Sequence, residues 1–171
     1  LKERFGGRVY RVTVDAGFTC PNVDGSVALG GCVYCDNRSF SPNRRLPRRT
    51  VREQVERGIS LLTQRYRADR FLCYFQAATN TYAPLHKLRR LYDEALEHPQ
   101  LVGLIIGTRP DCVGEEVLDL IESYSRRMYV SVELGLQRIH DRSLDWMNRA
   151  HPAEAFFDAV RRCQGRPFEL C

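Results

Sequence analysis

Leu101-Val102-Gly103-Leu104-Ile105-Ile106 runs for six residues without a polar side chain. A strand with one wet face alternates apolar and polar residues. One that is apolar on both faces is built to be covered on both, as in a parallel sheet. The flanking segments agree. On the N-terminal side, Pro84 stands at the first turn of a predicted helix whose buried face is Leu85, Leu88, Leu91, Tyr92 and Leu96. On the C-terminal side, Glu115 to Arg126 reads as a helix with Val117, Leu118, Leu120, Ile121 and Tyr124 apolar.

Further out, Phe71–Phe75 and Met128–Leu134 read as strands, and Val9–Val14 as a first strand that ends at Asp15-Ala16-Gly17. Thr50 and Glu53 form a capping box that opens a helix with Val51, Val55, Ile59, Leu62 and Tyr66 on one face. Asp141–Asn148 and Pro152–Cys163 are predicted short helices, Gly165 is a stop, and Phe168–Cys171 begins a fifth strand. Strands spaced by helices of this length imply right-handed βαβ units. The fold class is α/β, as an open or closed β/α barrel or a doubly wound sheet. The chain ends inside an element and Leu1 is not an initiator, which reads as a fragment of a longer protein.

The 171 residues, 43% hydrophobic and 27% charged, are enough for one domain with a real core. No run of 18 apolar residues is present and the charged start leads into Gly6-Gly7, so neither a membrane span nor a signal peptide is read here. A cytoplasmic setting is the expectation. The net charge is +5 and only Lys2 and Lys87 are lysines, a skew that fits genome base composition as readily as a binding surface. Arginines crowd in Arg44-Arg45-Leu46-Pro47-Arg48-Arg49. The 7 cysteines are an odd count in a chain too large to need disulfide staples, which favours reduced thiols and metal ligands.

Cys20, Cys32 and Cys35 stand together in the Gly- and Pro-rich loop 18–47. Three thiolates in one loop, folded back at Gly25, Gly30 and Gly31, can converge on a metal, and soft thiolates select zinc or an iron–sulfur cluster. A structural zinc wants four ligands and the loop holds no fourth Cys or His; a cubane on three cysteines keeps one iron open. A zinc site completed by His86, His98, His140 or His151, or three unligated thiols, are the other readings. Cys73 and Cys112 read as small buried hydrophobes, with Cys112 partly open at the rim.

In parallel β/α folds chemistry gathers where strands end. The polar residues there are Asp15 after strand one, Gln76, Thr79 and Asn80 after strand two, Thr108, Arg109 and Asp111 after strand three, and Glu133 and Gln137 after strand four. A carboxylate at Glu133, ending an apolar strand, needs a partner or a ligand. A salt bridge to Arg109 and a contact to ribose or substrate are both open.

These motifs resemble the radical S-adenosylmethionine superfamily. The usual C-x3-C-x2-C motif has an aromatic residue before the last cysteine, and Tyr34 fills that place, although the first gap here is longer. Gly17-Phe18-Thr19-Cys20-Pro21-Asn22 through Gly31-Cys32-Val33-Tyr34-Cys35, Tyr74-Phe75-Gln76-Ala77, Gly107-Thr108-Arg109-Pro110-Asp111-Cys112 and Glu133-Leu134-Gly135-Leu136-Gln137 resemble, in order, one bacterial branch of unassigned function. That branch is related to the radical domain of the Elongator catalytic subunit. The resemblance implies a partial (β/α)6 barrel, here truncated to about four and a half β/α units, with residues 1–171 forming an incomplete radical core.

It further implies a [4Fe–4S] cluster on Cys20, Cys32 and Cys35, with S-adenosylmethionine on the open iron, cleaved to a 5′-deoxyadenosyl radical that takes hydrogen from a substrate. Tyr34 maps against the adenine or over the cluster. Gln137 and Arg149, after strand four, map as cofactor contacts, Arg149 to the carboxylate. An exposed glutamine and a solvated helix arginine are their plainer reading. Relatives usually have Gly in place of Ala150. Gln76 and Glu133 are further cofactor-binding candidates; Gln76, like Asn80, Thr108 and Asp111, is a weaker site candidate that rests on rim position alone. An external one-electron reductant of flavodoxin or ferredoxin type is implied as partner. The substrate is unidentified. RNA is one alternative, with Arg44, Arg45, Arg48 and Arg49 on phosphates, although no aromatic residues interleave with them. A non-catalytic zinc module is another. A Gly-rich segment after strand five and a sixth strand are expected beyond Cys171.

Overall fold

The computed structural model describes residues 1–45 and 49–171. In chain order the elements are β1 (Tyr10–Val14), α1 (Asn37–Phe40), α2 (Pro42–Arg45), α3 (Val51–Tyr66), β2 (Phe71–Phe75), α4 (Leu85–Leu96), β3 (Leu101–Thr108), a 3-10 turn (Pro110–Cys112), α5 (Glu115–Ser125), β4 (Tyr129–Leu134), α6 (Asp141–Trp146), α7 (Ala153–Cys163) and β5 (Glu169–Leu170). All five strands pair in parallel, in the order β1-β2-β3-β4-β5. Each new strand joins the same edge, and with right-handed crossovers this keeps the connecting helices on one side. That is barrel winding. A doubly wound sheet reverses direction and carries helices on both faces, so the sequential order removes that alternative.

The two faces of the sheet differ as the alternation of side chains requires. On the helix side, Val12, Val14, Phe71, Phe75, Leu104, Ile106, Val130 and Val132 pack against Val55, Leu88, Leu118, Ile121 and Ala159. Each such fully buried side chain contributes about 1.5–3 kcal/mol. On the inner face Leu72, Ile105 and Tyr129 form a small plug, covered by Phe5 and Val9. Phe5 meets the Tyr129 ring edge-on at 5.8 Å. The plug lies toward the strand starts, which leaves the C-terminal strand ends to the loops.

The capping box at Thr50 and Glu53 is formed, with both reciprocal bonds present. The buried face of α3 differs from the pattern: Gln54 joins Val51, Val55 and Ile59, while Tyr66 stays 45% exposed and stacks on Tyr10 at 5.0 Å. Gln54 is buried for its amide. It accepts from the Asp15 N–H at 2.8 Å and donates to the Asp15 carbonyl at 2.9 Å, fixing the end of β1. The segment read as an open loop holds two short helices, α1 and α2, the first capped by the Asp36 side chain on the Arg38 N–H. Among the described residues no helix is long and apolar enough to cross a membrane.

Candidate functional site

The cysteine loop leaves β1 under tight control. Asp15 accepts from Arg44 Nε at 2.6 Å and Nη2 at 3.1 Å, and Arg44 also reaches the Phe18 carbonyl at 3.1 Å. Arg44 is therefore held in an internal ion pair. Arg48, and the Arg45 side chain, lie outside the described residues.

Further along, the loop is fastened to the segment after α6. Asn22 is fully buried and its amide donates to the carbonyls of Asn148 at 2.5 Å and Arg149 at 3.0 Å, with Cys32 Sγ at 3.5 Å. Asn148 returns the contact, donating to the carbonyls of Leu29 and Gly31, both at 2.8 Å. The Val33 N–H adds a bond to the Met147 carbonyl at 3.1 Å. Two asparagines thus bridge stretches more than a hundred residues apart. Asn22 stands in a quoted motif and Asn148 ends a predicted helix, but neither reads as a site residue, because no spacing rule pairs positions 22 and 148.

A cavity of about 510 Å³ opens between this loop and the strand ends, within the range of ligand sites. Cys20, Cys32, Cys35, Tyr34, Gln76, Glu133, Gln137 and Arg149 all line it. Thr108 and Arg109 line it as well. Asn80 instead staples two strand ends, donating to the carbonyls of Phe75 at 3.1 Å and Gly107 at 2.7 Å. Cys73 is fully buried, with its thiol pushed up by burial. The Cys112 thiol is pushed up to about 12 by burial and by the Asp111 carboxylate.

The three loop thiols are free, and Cys35 is raised by burial first, then by Cys32 and Cys20. Among the described residues no three His, Cys, Asp or Glu side chains are grouped as a ready-made metal site. Tyr34 is pushed up to about 12, chiefly by burial, against the opposing pull of Arg149 and with a smaller push from Cys32.

Arg149 is 6% exposed, not a solvated helix residue. Its Nη2 donates to the Gly135 carbonyl at 2.9 Å and Nη1 lies 3.9 Å from Cys32 Sγ. Its buried Nε has no hydrogen-bond partner among the described residues. No Asp or Glu oxygen among them stands within 4.0 Å of it to form an ion pair. Gly135 makes this approach possible, since a Cβ there would stand 2.7 Å from Gln137 Nε2 and 3.2 Å from Arg149 Nη2. Ala150 has φ +57°, the left-handed region where glycine is at ease. The usual glycine at this place therefore has a backbone reason.

Glu133 does not pair with Arg109. Its Oε1 takes Arg11 at 3.2 Å and its Oε2 accepts from the Tyr74 hydroxyl at 2.5 Å. The phenol on β2 reaches β4 by crossing β3 over Gly107, whose missing side chain leaves room; a Cβ there would touch the Tyr74 ring at 3.7 Å. Arg109 turns the other way, to Asp111, at 2.9 Å and 2.8 Å through two nitrogens. A partner two residues off on the same turn wins over one across the sheet.

A family model for the radical SAM superfamily matches residues 28–170. The chain belongs to that superfamily. The matched span includes Cys32 and Cys35 and starts after Cys20. Protein YhcC of Escherichia coli K12 is 39% identical over 172 residues, which is 100% of this radical SAM chain and 54% of the relative. The uncharacterized proteins YtqA of Bacillus subtilis and MJ0486 of Methanocaldococcus jannaschii are 36% and 31% identical, again over 100% of the chain, and 53% and 52% of their own length. The chain spans about half the length of the curated relatives it matches. An Elp3 structure from archaeal Methanocaldococcus infernus superposes with a TM-score of 0.57 at 18% identity, over 88% of this chain and 34% of that one. The sheet and helices thus share the fold of a radical SAM barrel.

Proposed function

We propose that this domain holds a [4Fe–4S] cluster through Cys20, Cys32 and Cys35 and uses it to cleave S-adenosylmethionine reductively, for hydrogen abstraction from an unidentified substrate. When bound, the cluster and its sulfonium ligand supply the one-electron cleavage that yields methionine and a 5′-deoxyadenosyl radical. The protein's part is to bind, orient and keep out water.

The observation that carries the reading is one cavity lined by three thiols of a single loop and by a buried guanidinium without a carboxylate partner among the described residues. The loop supplies three thiols and no fourth Cys or His, which leaves a zinc one ligand short and suits a cubane that keeps one iron open. Arg149 would take the carboxylate of the methionine part, for which its fork is shaped. Gln137, from its place beside Gly135, would steady the same ligand. Tyr34 would cover the cluster or the adenine. Gln76 sits at the cavity wall after β2, and Glu133 would act through the Tyr74 hydroxyl that it holds. An external one-electron reductant of flavodoxin or ferredoxin type completes the scheme.

Anaerobic purification with iron and sulfide analysis tests the cluster. The expected protein is brown, carries about four irons on three cysteines, and gives a cluster EPR signal on reduction. Dithionite and S-adenosylmethionine should then release 5′-deoxyadenosine, and Cys32→Ala or Cys35→Ala should abolish it. Stoichiometric zinc in place of iron overturns the reading.

A further inference from the structure

Resting on that cluster, we propose that the Arg109–Asp111 ion pair is a positioning device that sets the cluster's reduction potential. Arg109 is 3% exposed, and its Nη1 stands 3.8 Å from Cys20 Sγ. The remaining nitrogens are committed: Nε and Nη2 go to the two oxygens of Asp111, and Nη2 also reaches the Arg149 carbonyl at 3.1 Å. The forked contact fixes the orientation of the pair. Its positive end faces the sulfur and its negative end faces away, toward His151 Nε2 at 4.0 Å and Cys112 Sγ at 3.9 Å.

Adding an electron to a cluster is favoured by nearby positive charge and by hydrogen bonds to its sulfurs. A charge buried this deeply is poorly screened by solvent. Arg109 therefore raises the potential, and Asp111, lying behind it with 21% of its side chain exposed, tempers the effect. Arg149 stands in a similar place beside Cys32, but its guanidinium is reserved for a ligand carboxylate. Arg109 is instead clamped through Nε and Nη2 by Asp111 and the Arg149 carbonyl, which holds its charge in place beside the thiolate.

The two halves of the pair must then act in opposite directions, which a merely structural role cannot produce. The experiment is a potentiometric titration, read by EPR, of the cluster-loaded protein and three variants. Arg109→Gln should lower the reduction equilibrium about tenfold, a shift of about 59 mV for one electron. Asp111→Asn should raise the potential, and Arg109→Lys, which keeps the charge, should stay near the wild type. If Arg109→Gln takes up no cluster, the sign of the Asp111→Asn shift decides. Potentials that move together or stay still overturn the inference while leaving the cluster intact. A wild type that takes up no iron and sulfide overturns the proposed function itself.

Discussion

Replacing Asn22 with alanine removes the amide that fastens the cysteine loop to the segment after α6. Its two N–H bonds, at 2.5 Å to the Asn148 carbonyl and 3.0 Å to the Arg149 carbonyl, each contribute about 1 kcal/mol net. The Arg149 carbonyl keeps a donor in Arg109, at 3.1 Å, so only the Asn148 carbonyl is left stranded. That penalty of about 1–3 kcal/mol is offset by removal of the Asn22 side-chain oxygen Oδ1, itself buried without a partner among the described residues. The net expected loss is about 2 kcal/mol, or roughly 4–8 °C in Tm for a chain of this size. Far-UV circular dichroism in urea is the assay; the lone tryptophan, Trp146, is 76% exposed and reports unfolding poorly. Asn148→Ala cuts the return bonds of the same staple, so the double variant should lose less than the sum of the singles, with a coupling of at least about 0.5 kcal/mol. A loss under about 0.5 kcal/mol, or strict additivity, would refute the view that these asparagines act as one fastening.

Ala150→Gly should stabilise the protein by about 1 kcal/mol, because alanine carries the steric cost of φ +57°; thermal unfolding reads it. Tyr74→Phe should cost about 1.5 kcal/mol, the worth of a hydrogen bond to a carboxylate, since Glu133 keeps Arg11 as its other partner. His151 is held below its ordinary 6.5, chiefly by burial, despite the opposing Asp111 charge. The unfolded chain therefore takes up a proton first as pH falls through about 6.5, and stability declines from there toward the lower folded value. His151→Gln should flatten that part of a stability–pH curve measured on the metal-free protein.

The strands were legible because a parallel sheet writes itself as apolar runs: Phe71–Phe75 has the bounds read from sequence, and β3 extends only by Gly107 and Thr108. The candidate site was legible as a neighbourhood: Cys20, Cys32, Cys35, Tyr34, Gln76, Glu133, Gln137 and Arg149 line one cavity, while Asn80 and Asp111 do not. Partnerships were not. Glu133 was open between Arg109 and a ligand, but Arg11 and Tyr74 take its oxygens from β1 and β2. No local pattern announces a bond that crosses an intervening strand above a glycine. Gln54 escaped for a related reason: a glutamine on a helix reads as solvent-facing until the chain it must hold, at Asp15, is folded beside it.

The electrostatics of the cavity are unbalanced in two ways that one pair of occupants would correct. Cys35 is disfavoured as a thiolate, first by burial and then by Cys32 and Cys20, and a cation bound beside it would relieve that. Arg149 is the converse, a buried cation whose Nε has no partner among the described residues, and such a charge is costly to hold unpaired. The loop cannot relax either strain by swinging outward, because Asn22, Asn148, Gln54 and Arg44 tie it at both ends. Iron on the sulfur side and a carboxylate on the arginine side would each remove one imbalance. Loading iron and sulfide should therefore raise Tm by a linkage term that grows with affinity, and adding S-adenosylmethionine should raise it again only where Arg149 is intact. A second rise that persists in Arg149→Gln would show that the carboxylate is held elsewhere.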